Sequence, residues 1–151
     1  MSLQLELVCE LTVELTPPHE VGTGGPGARR IIPIVGGTAR GKRLSGTILP
    51  VGADWQTVNA DGVAQLDARY AIQTEDGAVI EVLSQGIRHA PAEVAARMAK
   101  GEAVPPSEYY MRSAIRLSTG HSAYDWVNRA IFVATGGKVG STVSLAVYQV
   151  L

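Results

Sequence analysis

Apolar side chains recur at every second position near the start of the chain: Leu3, Leu5, Leu7, Cys9, Leu11, Val13 and Leu15. Gln4, Glu6, Glu10, Thr12 and Glu14 fill most of the gaps, and Val8 breaks the alternation. A period of two belongs to a strand with one apolar and one polar face. Strands this long usually bend or bulge, as a sheet curling into a barrel requires. Pro17-Pro18 then stops the strand, because neither residue can donate to a ladder.

The rest of the chain repeats the theme in shorter pieces. Residues 22–27 form a Gly-rich loop, and 29–35 read as a strand in which Pro33 marks an edge or bulge. Gly36-Gly37 is expected to turn the chain. Further β runs are expected at 44–50, 64–74, 78–84, 108–118, 128–135 and 141–151. Asp61-Gly62, Asp76-Gly77 and Gly136-Gly137 stand between them as turn formers. One segment differs: residues 91–101 carry Pro91 at a first-turn position and Gly101 at an end, with Val94, Ala95 and Met98 on one face. That predicts a short amphipathic helix placed to cover one end of the sheet. The expected fold is therefore mainly all-β, an antiparallel barrel in one domain over residues 1–151.

Composition narrows the function classes. The net charge is −1, so no overall basic field draws the chain to nucleic acid or to an anionic membrane. Cys9 is the single cysteine, expected as a small buried hydrophobe without a disulfide. No apolar run reaches 18 residues and no basic-then-apolar leader opens the chain, so a cytoplasmic location is the expectation.

Familiar motifs fail on context. Gly22–Gly27 spells G-x-G-x-x-G, but a β-branched run with Pro33 follows, not the helix whose N-terminus would face a pyrophosphate. Gly36–Lys42 resembles a P-loop, yet Arg43 replaces the hydroxyl that would ligate magnesium. His19, His89 and His121 fall in expected loops at spacings that make no metal pair, so no metal or cofactor is expected. Ser45, Ser84 and Ser141 lack a nucleophile elbow.

What remains is a set of aromatic and polar residues at strand ends: Asp54-Trp55, Tyr109–Arg112 and Tyr124–Asn128. Both tryptophans and three of the five tyrosines lie in these short stretches. Structural packing at barrel ends and the polar groups of a ligand pocket explain them equally well.

Several blocks together resemble the DUF3237 or UPF0311 family. They are Gly27–Gly37, Leu44–Trp55, Leu66–Tyr70, Asp76-Gly77, Gly86–Arg88, Pro106–Arg112 and Tyr124–Asn128. Lys42, Val51 and Met111 depart from the pattern, where Pro, Gly and Phe are usual; all three are packing or turn positions. The resemblance implies a lipocalin-like or calycin-like barrel and leaves the activity open. Matching positions make Arg30, Asp54, Trp55, Arg112, Tyr124 and Asn128 the leading site residues, followed by Tyr70, Arg88, Tyr110 and Trp126. Strand parity leaves one question open: Tyr110 and Arg112 share a face opposite Met111 and Ser113, and either face can point inward.

Three functions compete. In the first, a cofactor-independent lyase, isomerase or hydratase-type enzyme acts on a small carbonyl or phenolic substrate. There Asp54 is the acid/base, Arg30 or Arg112 holds a carboxylate or enolate, and Tyr124 and Asn128 donate to an oxyanion. Arg112, Tyr124 and Asp54 form its expected catalytic set. In the second, the same cavity carries a small amphipathic metabolite unchanged. In the third, the aromatic clusters form a homodimer interface.

Overall fold

The computed structural model describes all 151 residues. Ten strands follow the chain: β1 (Leu5–Leu15), β2 (His19–Thr23), β3 (Ala28–Arg40), β4 (Gly46–Ile48), β5 (Gly52–Val58), β6 (Ala64–Thr74), β7 (Val79–His89), β8 (Tyr110–Ser118), β9 (Phe132–Val139) and β10 (Thr142–Val150). The helix α1 (Ala92–Ala99) lies between β7 and β8, and short 3-10 turns occupy Pro106–Glu108 and Ser122–Arg129. No helix is long and apolar enough to cross a membrane.

The strands close into an antiparallel barrel of eight staves. Pairing runs β1-β10-β9-β8-β7-β6, passes through β4 and β5 to β3, and returns from β3 to β1. Two staves are built from two strands each. β4 and β5 share one flank of β3, pairing with its C-terminal and N-terminal halves. β1 and β2 divide the other flank in the same way. The break at Pro17-Pro18 is where the sequence places it. Pro33 sits opposite, its carbonyl accepting from the Thr16 N–H at 3.2 Å. The side on which it has no N–H to give therefore faces the break.

The bulge expected in the first strand lies at Val8. Leu7 pairs with Tyr148 and Cys9 with Val147, which leaves Val8 as the extra residue. One extra residue reverses the parity. Cys9, Leu11 and Val13 face the core, whereas Leu3, Leu5 and Leu7 are exposed. The unbroken apolar face read from Leu3 to Leu15 is thus two faces joined at the bulge.

Other boundaries moved for one recurring reason: glycine pairs sit inside strands. β3 runs through Gly36-Gly37 to Arg40, and β9 runs through Gly136-Gly137. At Gly37 a side chain would fall 1.9 Å from the Thr12 carbonyl oxygen, so only glycine lets β1 and β3 approach there. The β9–β10 turn is at Gly140 instead, with φ +58°. Asp61-Gly62 and Asp76-Gly77 are turns as read, each with its glycine at φ +87°. The expected loop at 22–27 begins within β2, residues 122–129 coil as 3-10 turns, and His19 and His89 lie in strands. The core is one cluster of 25 buried residues that joins inward faces of the barrel to Val94 of α1, Val104 and Tyr109.

Candidate functional site

Every stave contributes a side chain to one partly open cavity of about 60 Å³ inside the barrel. Its walls are largely apolar, with Ile32, Ile34, Leu66, Met111, Val143 and Leu145 among them. Into this surface project Asp54, Gln56, Arg88 and Lys138, with Ser84 and Ser113, and Tyr70 forms part of its wall. Strand parity puts them there. Asp54 and Gln56 are two apart on β5, so both point inward while Trp55 points out. Arg88 continues the inward series Ile80, Val82, Ser84 and Gly86 on β7. Lys138 continues Phe132, Ala134 and Gly136 on β9.

Asp54 is held by a chain of hydrogen bonds. The Asp67 backbone N–H donates to Asp54 Oδ1 at 2.8 Å, and Gln56 Nε2 donates to Asp54 Oδ2 at 3.2 Å. Gln56 in turn accepts from Arg30 Nε through Oε1 at 2.8 Å. Both ends of the carboxamide are therefore committed, which orients it and leaves the carboxylate a fixed direction. Gln56 is 1% exposed, so this link is part of the barrel wall.

Burial sets the charges against one another. It raises the Asp54 pKa, and the bonds from Asp67 and Gln56 and the Arg88 charge oppose that rise. Burial and then repulsion from Arg30 lower Arg88. Lys138 is lowered by burial first and then by Arg88 and Arg30. Tyr70 is pushed up by burial, and its hydroxyl is the one buried side-chain polar atom without a partner.

The structure divides the residues singled out in the sequence. Asp54, Tyr70 and Arg88 line the cavity, and Arg30 joins them through Gln56. Arg112 does not: β8 turns Met111, Ser113, Ile115 and Leu117 inward, which answers the parity question. Its guanidinium donates to the Met111 carbonyl at 2.9 Å and lies over the Tyr110 ring on the outer face. Tyr110 stacks there on His89, and Trp55 is 48% exposed.

Tyr124, Trp126 and Asn128 lie at the opposite end of the barrel. Arg88 pairs with Met111 near the start of β8, whereas 122–129 follows the end of β8. There the Tyr124 hydroxyl donates to Asp76 at 3.0 Å, tying this segment to the β6–β7 turn. Asn128 bonds both the N–H and the carbonyl of Thr119. Trp126 packs edge-on against Phe132 and under the Arg43 guanidinium. These contacts brace that end, and none of the three residues touches the cavity. The catalytic grouping of Asp54 with Arg112 and Tyr124 is therefore not brought together.

Gln56, Lys138, Ser84 and Ser113 escaped the sequence reading. Alternation from Asp54 would have found Gln56. Taking Gly136-Gly137 as a turn hid Lys138, because it ended β9 too soon. Ser84 lacks a nucleophile elbow, and its inward position shows only once β7 is placed in the barrel.

Residues 3–150 match the family model described as protein of unknown function (DUF3237). A UPF0311 protein of Rhodopseudomonas palustris is 38% identical over 150 residues, 99% of this chain and 98% of the relative. A crystal structure of a conserved protein of unknown function from the same species has a TM-score of 0.97, covering 100% of this chain and 99% of that one. A beta-barrel like protein from Acinetobacter baumannii is 39% identical with a TM-score of 0.88, covering 100% and 98%. An enzyme from Penicillium herquei is 22% identical with a TM-score of 0.74, covering 100% and 96%; that likeness is one of fold.

Proposed function

The chain belongs to the DUF3237 family, and from that premise we propose that its barrel cavity binds a small carbonyl or phenolic molecule and performs acid/base chemistry on it. The reaction class is lyase, isomerase or hydratase, run by the chain's own side chains. The observation that carries this reading is Asp54: a carboxylate at a cavity wall, oriented by two donors, with its pKa raised toward the working range by burial. A general acid/base needs both properties, a fixed direction and an affinity for the proton matched to the medium. Arg88 replaces Arg112 as the inward guanidinium that would hold a developing enolate or phenolate. Arg30 is a positioning residue, since it reaches Asp54 only through Gln56.

The fold likeness to an enzyme from Penicillium herquei is compatible with catalysis in such a barrel and carries no residue roles. The test is turnover of a panel of small enones, hydroxy-ketones and phenols followed by NMR. Asp54→Asn should reduce the rate on any accepted substrate by roughly 10²–10⁴. An unchanged rate removes Asp54 from the mechanism. Ligands that bind and return unaltered make the barrel a carrier.

A further inference from the structure

Two cations, Arg88 and Lys138, enter the cavity with a single acid, Asp54, and Arg30 stands behind Gln56 in its wall. Repulsion from Arg30 lowers Arg88, and repulsion from both arginines lowers Lys138. All five ion pairs of the protein lie elsewhere, on the surface, and none includes these three residues. Arg30 spends its Nε on Gln56, whereas Arg88 and Lys138 make no side-chain hydrogen bond to protein. Unpaired charges in apolar surroundings are costly, and an arriving counter-charge relieves that cost.

The cavity is thus cationic where Arg88 and Lys138 enter it and apolar along its walls.

Resting on the reading above that the cavity takes a small molecule, we propose that its ligand is a small organic monoanion: a carboxylate held by Arg88 and Lys138, and an apolar body against Leu66, Met111 and Leu145. A planar carboxylate suits the guanidinium fork, which binds it through two parallel bonds, with the ammonium as a point charge beside it. The Asp54 carboxylate disfavours a second negative charge on the ligand. The volume of about 60 Å³ is well below the roughly 300–1,000 Å³ of sites for drug-sized ligands, so the body is short.

Calorimetry on the full chain with 4-hydroxybenzoate and its neutral counterpart 4-hydroxybenzamide tests this, with crotonate and crotonamide as a smaller pair. Each anion should bind at least about tenfold tighter than its amide. Lys138→Met should cut that preference severalfold, while Lys138→Arg should keep it. Equal affinity for anion and amide overturns the anionic ligand and leaves the small-molecule reading standing. Binding by neither pair overturns both. Binding of inorganic phosphate alone overturns the organic carboxylate.

Discussion

At the scale of single residues, Asp54 trades stability for a usable proton. Its folded pKa lies above the unfolded value because burial disfavours the charged form. The stability linked to this group is therefore fully present below the unfolded pKa and is lost as pH rises through the folded one. Asp54→Asn should be more stable than the parent at pH 7, with the difference shrinking as pH falls through the raised folded pKa and gone below about 4, near the ordinary value of an aspartate. Urea denaturation midpoints at the two pH values would show it; a variant less stable at pH 7 would mean that the lost Gln56 contact outweighs the buried charge. Tyr70 behaves differently. Its hydroxyl has no partner to lose, so Tyr70→Phe should leave the folding free energy within about 0.5 kcal/mol or raise it. A clear destabilisation would reveal a bonded water that the hydroxyl depends on. Asp54 was legible in the sequence from its place beside Trp55 after a turn. Its partner Gln56 was not, since glutamine carries no signal until its burial is known.

At the scale of elements, close approach of backbones decides where strands can run. A side chain at Gly52 would fall 2.3 Å from the Arg69 carbonyl oxygen and 2.6 Å from Tyr70 Cβ. Gly52 opens β5, two residues before Asp54. Gly52→Ala should cost roughly 2 kcal/mol or more and displace Asp54, so thermal melting and any ligand response should fall together. A melting temperature equal to the parent's would show that β5 can shift without cost. The same physics explains the misread boundaries. Glycine at Gly36-Gly37 and Gly136-Gly137 looks like a turn because glycine tolerates turn geometry, yet here it provides room between strands. Only a neighbour, absent from the one-dimensional pattern, separates the two uses. At the end opposite Arg88, Phe132 is fully buried against Trp126, and Phe132→Ala should destabilise by about 3–5 kcal/mol, read by chemical denaturation.

At the scale of the whole molecule, the barrel closes by pairing β1 with both β10 and β3. Leu5 pairs with Val150, so the last stave forms only after almost the full chain is in place. Such long-range pairing predicts folding on the order of milliseconds to seconds, followed by fluorescence of Trp126, which is partly buried, rather than the exposed Trp55. Submillisecond folding would imply that closure is not limiting. The β class, the turns at Asp61-Gly62 and Asp76-Gly77, the bulged first strand, the lone helix and the buried Cys9 were all determined by the sequence itself. Each rests on local terms: period-two alternation, proline without an N–H, glycine at positive φ. Which face of β8 points inward, and that Arg88 and Lys138 rather than Arg112 meet Asp54, was decided only by closure. Alternation defines two faces, and only the completed ring makes one of them the inside.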